Sequence, residues 1–141
     1  LSHLPDCDVL VMTAAVGDFA PEKVQKEKIK KRGEEPLILK LRQTTDILQE
    51  VAKNKKHQFV VGFAAESESV IVSAIEKLKK KRLDLIVAND ISAPGIGFQS
   101  DSNQVAIIKS ELDIERLPLL SKHEAANILL DRIRDSLKKQ L

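Results

Sequence analysis

The apolar positions of this chain fall into two periods, and the switches between them set out its elements. Asp8-Val9-Leu10-Val11-Met12-Thr13-Ala14 is a short apolar run with a polar start, the pattern of a buried strand. From Pro21 to Glu35 the chain is charged and has little period, so a surface loop or flap is expected there. Leu37, Leu39 and Leu41 then alternate with Ile38, Lys40 and Arg42, which predicts a strand. Thr44-Thr45-Asp46 offers capping oxygens to a helix with Ile47, Leu48, Val51 and Ala52 on one face. Phe59 to Ala65 and Leu83 to Ala88 are near-continuous apolar runs. Between them Val70, Ile71, Ala74, Ile75 and Leu78 recur at helical spacing, with Ser67 or Ser69 as the expected cap. Strand, helix, strand in this order predicts a parallel βαβ unit.

Asn89 to Gly97 holds Pro94, Gly95 and Gly97 and is expected to be a loop. Val105-Ala106-Ile107-Ile108 and the segment from Ile114 to Leu119 predict a hairpin or edge strands. Ser121-Lys122-His123-Glu124 matches a capping box. Ala125, Ile128, Leu129, Ile133 and Leu137 then mark a C-terminal helix with Lys138 and Lys139 in its last turn, where the helix dipole favours cations. The elements together predict an α/β fold: a Rossmann-like three-layer sandwich with a mostly parallel sheet, followed by a C-terminal β-hairpin and helix.

Length and composition narrow this further. A chain of 141 residues favours a single domain over 1–141. With four Phe and no Tyr or Trp, the core must be aliphatic, and a base-stacking surface for single-stranded nucleic acid is disfavoured. The formal net charge of +2 is too small for a general polyanion binder, so the lysines matter by position. The lone Cys7 excludes an intramolecular disulfide and argues against a cysteine-based metal site. No apolar run spans a bilayer and no signal-peptide pattern occurs, so a cytosolic protein is expected. Leu1 is not an initiator Met, and the chain is expected to be a piece of something longer.

Ligands of open parallel sheets sit beyond the carboxyl ends of the strands. Three predicted strand ends carry small or polar residues: Ala14 to Asp18, Gly62 to Glu66, and Ala88-Asn89-Asp90. Each alone is compatible with an ordinary turn; three on one edge favour a site. Two lysine groups serve as candidates for that edge. Lys28-Ile29-Lys30-Lys31 lies in the flap, and is alternatively a solvated charge run. Lys77 and Lys81 share a helix face, and alternatively complement the helix dipole for about 0.3–1 kcal/mol per charge. No Walker motif and no Gly-x-Gly-x-x-Gly occurs, which disfavours a P-loop NTPase and a nicotinamide or flavin oxidoreductase. His3, His57 and His123 are scattered and show no metal-ligand spacing.

Ala14-Ala15-Val16-Gly17-Asp18-Phe19 followed by Lys28-Ile29-Lys30-Lys31 resembles bacterial phosphopantothenoylcysteine synthetase, the C-terminal activity of a bifunctional coenzyme A biosynthesis flavoprotein. The likeness continues in order through Thr45-Asp46-Ile47-Leu48, Val61 to Glu66, Lys77 and Lys81, Asp84 to Asp90, Gly97-Phe98 and Asn103. The resemblance implies CTP-dependent ligation of 4′-phosphopantothenate to cysteine through an acyl-cytidylate, with Mg²⁺. It implies that Lys28 stabilises the transferring phosphate as the catalytic lysine. Asp18, Thr45, Asp46, Ile47, Leu48 and Phe63 would contact the nucleotide, Lys77 and Lys81 its triphosphate, and Ala14 and Ala15 phosphopantothenate. It also implies a homodimer and, in the parent polypeptide, a decarboxylase half that carries the flavin. Gly17 stands where the family usually has Ala. The family's glycine-rich opening segment and its Asn-containing Ser-Ser-Gly stretch have no counterpart here, so cysteine transfer is expected to need residues outside this chain.

Overall fold

A computed structural model of the chain describes residues 1–30, 33, 36–66, 68–90 and 102–139. After a short 3-10 turn at Leu4–Asp6, the elements run β1 (Val9–Met12), β2 (Phe19–Pro21), β3 (Leu41–Gln43), α1 (Ile47–Asn54), β4 (Phe59–Glu66) and α2 (Val70–Lys80). There follow β5 (Leu85–Asp90), β6 (Ser102–Asn103), β7 (Val105–Ser110), β8 (Asp113–Arg116), β9 (Leu120–Ser121) and α3 (Lys122–Lys138). The chain packs as two units, Leu1–Thr13 with Leu48–Leu141, and Ala14–Ile47.

The larger unit is built on a five-stranded sheet of order β1-β4-β5-β7-β8. β1, β4 and β5 are parallel, and β7 and β8 close the sheet as an antiparallel hairpin. Alternate residues of each strand face opposite layers. Val60, Ala64, Ile86, Ala88, Ala106 and Ile108 pack with Val51 of α1 and with Ala74 and Leu78 of α2. Val61, Leu85, Val87, Val105 and Ile107 pack with Leu129 and Ile133 of α3. The result is the three-layer α/β sandwich expected from the two periods. Leu85, Ile86, Ile108, Val60 and Val61 are the largest wholly buried side chains, each contributing about 1.5–3 kcal/mol by leaving water.

Gly62 is explained by this packing. A Cβ there would stand 2.6 Å from Leu83 Cδ1 and 3.6 Å from Leu48 Cδ1, so this glycine lets helix and loop close onto the strand. The amino ends of the sheet are tied by polar bonds. The Asp84 carboxylate accepts from Lys55 Nζ at 2.5 Å and from the Val60 N–H at 2.7 Å, while Lys55 also donates to the Arg82 carbonyl at 2.9 Å. The capping box is present: the Glu124 N–H donates to Ser121 Oγ at 3.2 Å, and the Ser121 N–H to Glu124 Oε2 at 2.9 Å.

Four expectations change. The alternation at Leu37 to Arg42 yields only the three-residue β3, paired with β2 and not with the main sheet. A ribbon of two strands has no second layer, so Leu37, Ile38, Leu39 and Leu41 all stay exposed. Ser69 occupies the N-cap position of α2 but makes no side-chain cap bond, because its backbone is left-handed with φ 48°; Ser67 lies outside the described residues. Thr44 does not serve the helix start: its hydroxyl donates to the Gly17 carbonyl at 2.6 Å. Asn89 and Asp90 close strand β5 instead of opening a loop, and the rest of that expected loop lies outside the described residues.

Candidate functional site

The parallel strands bring their carboxyl ends to one edge of the larger unit, and the register shows which residues stand there. β1 pairs with β4 only as far as Met12 opposite Gly62. β4 runs on through Phe63, Ala64, Ala65 and Glu66, paired on its other side with Val87 to Asp90 of β5. Beyond Gly62 the strand is therefore open on the β1 side. Phe63 is 41% exposed there, a large apolar surface at a strand end.

The edge has two faces. Phe63 and Asn89 belong to the alternate set that carries Val61 and Val87 toward α3. The Asn89 Oδ1 atom is buried and has no hydrogen-bond partner among the described residues. A buried acceptor left unpaired costs about 1–3 kcal/mol, so this atom marks a place where a donor belongs. Glu66 lies on the other set, toward α2, and its Oε1 accepts from Lys77 Nζ. Lys77 thus reaches the carboxyl edge. Lys81 is one helical turn, about 5.4 Å, further toward the amino ends, where Asp84 N–H meets the Val60 carbonyl. Phe63 and the Lys77–Glu66 pair therefore lie on opposite faces of the end of β4.

The Ala14–Ile47 unit holds the other predicted residues. Ala14, Ala15 and Asp18 are exposed in the segment that leaves β1. The Thr44 N–H donates to the Asp18 carbonyl at 2.9 Å, next to the Thr44–Gly17 bond. These two bonds fasten Gly17 and Asp18 to Thr44, next to Thr45 and Asp46. Lys28 is exposed on the loop between β2 and β3, a loop closed at its base by the ribbon and by the Glu22 N–H to Lys40 carbonyl bond at 2.9 Å. Lys31 lies outside the described residues. Leu48 belongs to the larger unit, and its side chain packs against the core beside Gly62.

Two features escaped the sequence reading. The Glu66–Lys77 pair depends on how far α2 runs back along β4. A groove of about 480 Å³ also opens between the start of α2, Ala88, Gln104, Ala106 and Arg116. Of the strand-end residues singled out in the sequence, Ala88 lines it; none of the residues predicted to contact nucleotide or phosphopantothenate does. Among the described residues no group of three His, Cys, Asp or Glu side chains converges to hold a metal. No helix among them is long and apolar enough to cross a membrane.

With this geometry established, comparison with known proteins is informative. Residues 1–137 match the family model described as DNA/pantothenate metabolism flavoprotein C-terminal domain. The coenzyme A biosynthesis bifunctional protein CoaBC of Bacillus subtilis is 43% identical over 140 residues, which are 99% of this chain and 34% of that protein. Its Escherichia coli namesake is 42% identical over 130 residues, 89% of this chain and 32% of that protein. A relative from an unknown prokaryotic organism named cysteine/cysteine sulfinic acid decarboxylase is 40% identical over 129 residues, 91% of this chain and 36% of that protein. The chain therefore spans about a third of the length of these relatives. Among solved structures, the C-terminal domain of a CoaBC protein superposes with a TM-score of 0.75 at 35% identity, covering 98% of this chain and 61% of that one.

Proposed function

The chain belongs to the DNA/pantothenate metabolism flavoprotein C-terminal domain family, and on that premise we propose that it is the nucleotide-binding portion of a phosphopantothenate–cysteine ligase of coenzyme A biosynthesis. It forms the C-terminal portion of a single synthetase domain, in a homodimer whose longer polypeptide also carries a decarboxylase domain. The reaction has two steps. A carboxylate oxygen of 4′-phosphopantothenate attacks the α-phosphorus of CTP, and the bond to the β-phosphate breaks to release pyrophosphate. The cysteine amine then attacks the acyl carbon, and CMP leaves.

The observation that carries this reading is the carboxyl edge of β4 and β5. An exposed Phe63, an Asn89 acceptor with no partner among the described residues and a lysine drawn up by Glu66 stand along the last four residues of β4 and their partners in β5. That combination suits an aromatic or ribose group on one side and phosphates on the other. Lys28 supplies the charge that offsets negative charge building on the α-phosphate, and Lys77 and Lys81 hold the tail. Asp18, Thr45, Asp46, Ile47 and Leu48 contact the nucleotide. Ala14 and Ala15 let phosphopantothenate approach the chain. Magnesium accompanies the triphosphate. A surface loop is a physically sound carrier for Lys28, because closure excludes water from a hydrolysable acyl-nucleotide.

The test is direct. CTP with Mg²⁺ is expected to raise the melting temperature of the chain, and Lys28→Gln to slow acyl-cytidylate formation about 10²-fold in the full-length parent. The absence of any CTP-dependent shift in either protein contradicts the reading. Coverage of only 61% of the solved domain favours a second reading, in which this chain binds nucleotide but does not complete catalysis alone. Pyrophosphate release by the isolated chain separates the two, since sustained turnover excludes the binding-only form.

A further inference from the structure

We propose that Glu66 is a positioning residue that competes with phosphate for Lys77, so that polyphosphate binds by exchange against a resident ion pair. The proposal deepens the nucleotide reading and rests on it. Glu66 is the last residue of β4, and Lys77 comes to it from α2, eleven positions later in sequence. The carboxylate is the more buried partner, with 20% of its side chain exposed against 44% for the lysine. The lysine can therefore be reached from solvent, whereas the carboxylate relies on it for charge compensation. A phosphate that approaches Lys77 also approaches Glu66, and two like charges at one ammonium repel.

Binding then has an opposing term. The nucleotide gains a charge-assisted bond to Lys77 and must weaken the bond already there. The same exchange helps departure: when pyrophosphate leaves, Glu66 takes the lysine back, and no bare cation is left at the edge. The neighbouring pair of Lys79 with Glu111 offers no such device, because both side chains are more than half exposed on the helix flank, at 64% and 60%.

The experiment is a calorimetric titration of CTP, tripolyphosphate and cytidine into the chain and into Glu66→Gln, Lys77→Gln and the double variant, at one ionic strength. Glu66→Gln is expected to tighten CTP and tripolyphosphate by about 1.5- to fivefold and to leave cytidine unchanged. In the Lys77→Gln background the same change is expected to have no effect. Glu66→Ala provides a second way to remove the carboxylate, and melting curves establish that each variant is folded. If CTP binds the parent but Glu66→Gln binds it equally or more weakly, the exchange is refuted and the nucleotide reading survives. If neither CTP nor tripolyphosphate binds any of the proteins, both fall together.

Discussion

In the sheet unit Val60, Val61, Leu85, Ile86 and Ile108 are 0–1% exposed, whereas in the Ala14–Ile47 unit Val24 and Ile38 are 89% and 83% exposed. The residue types are the same. The difference is layering: β4 and β5 are covered on both faces by helices, while β2 and β3 form a ribbon of two strands. Among the described residues, none of the buried core comes from Ala14–Ile47. Among its described residues, hydrogen bonds such as Thr44 to Gly17 and Asp18 tie the unit together. Where few apolar contacts are lost, local opening costs little.

The largest expected effect tests that contrast directly. Ile86→Ala should lower stability by about 2–5 kcal/mol in urea unfolding, as large-to-small changes in packed cores do. Ile38→Ala should stay within about 0.5 kcal/mol, as exposed substitutions do. An equal loss for the two would break the comparison and reveal a hidden apolar partner for the ribbon. A middle-sized effect is expected within the sheet unit: Ser121→Ala removes the cap of α3 and should cost about 0.5–2 kcal/mol, read by the same unfolding curves.

The smallest effect concerns pH. The Arg132 guanidinium donates to Glu115 from Nε and Nη2, both at 2.6 Å, and holds that carboxyl below the ordinary glutamate range. The folded state therefore binds this proton less readily than the unfolded chain. Its stabilisation is complete above the unfolded glutamate pKa and is lost as pH falls through the lowered folded value. With both side chains about one-third exposed, at 36% and 35%, solvent screening limits the pair to about 0.2–1 kcal/mol. Glu115→Gln should cost that much at pH 7 and nothing in strong acid, checked by unfolding across pH. A difference that persists below the lowered pKa would show that the contact acts through packing.

Much of the fold was legible in the chain. The near-continuous apolar runs became β4 and β5, the helical spacing from Val70 to Leu78 became α2, and the Ser121–Glu124 box caps α3 as read. Where the reading failed, local pattern was read as layering. Leu37 to Leu41 alternates like a half-buried strand, yet no layer in its own unit covers it. Ser69 has the right side chain for a cap but the wrong backbone angle. For the site, the choice of strand ends and of Lys77 followed from the rule that ligands gather at carboxyl edges. The partner of Lys77 and the unpaired Asn89 oxygen did not follow from it.

Sequence by itself determined the periods, and with them the strands, the helices and the apolar faces, because each depends on residues within a few positions of one another. Tertiary structure alone decided that Gly62 must lack a side chain against Leu83, that Thr44 fastens Gly17, that Glu66 takes Lys77, and that Phe63 and Lys77 face opposite sides of one strand end. Such relations depend on strand register and on the path of the crossover, which bring together residues that no local period connects.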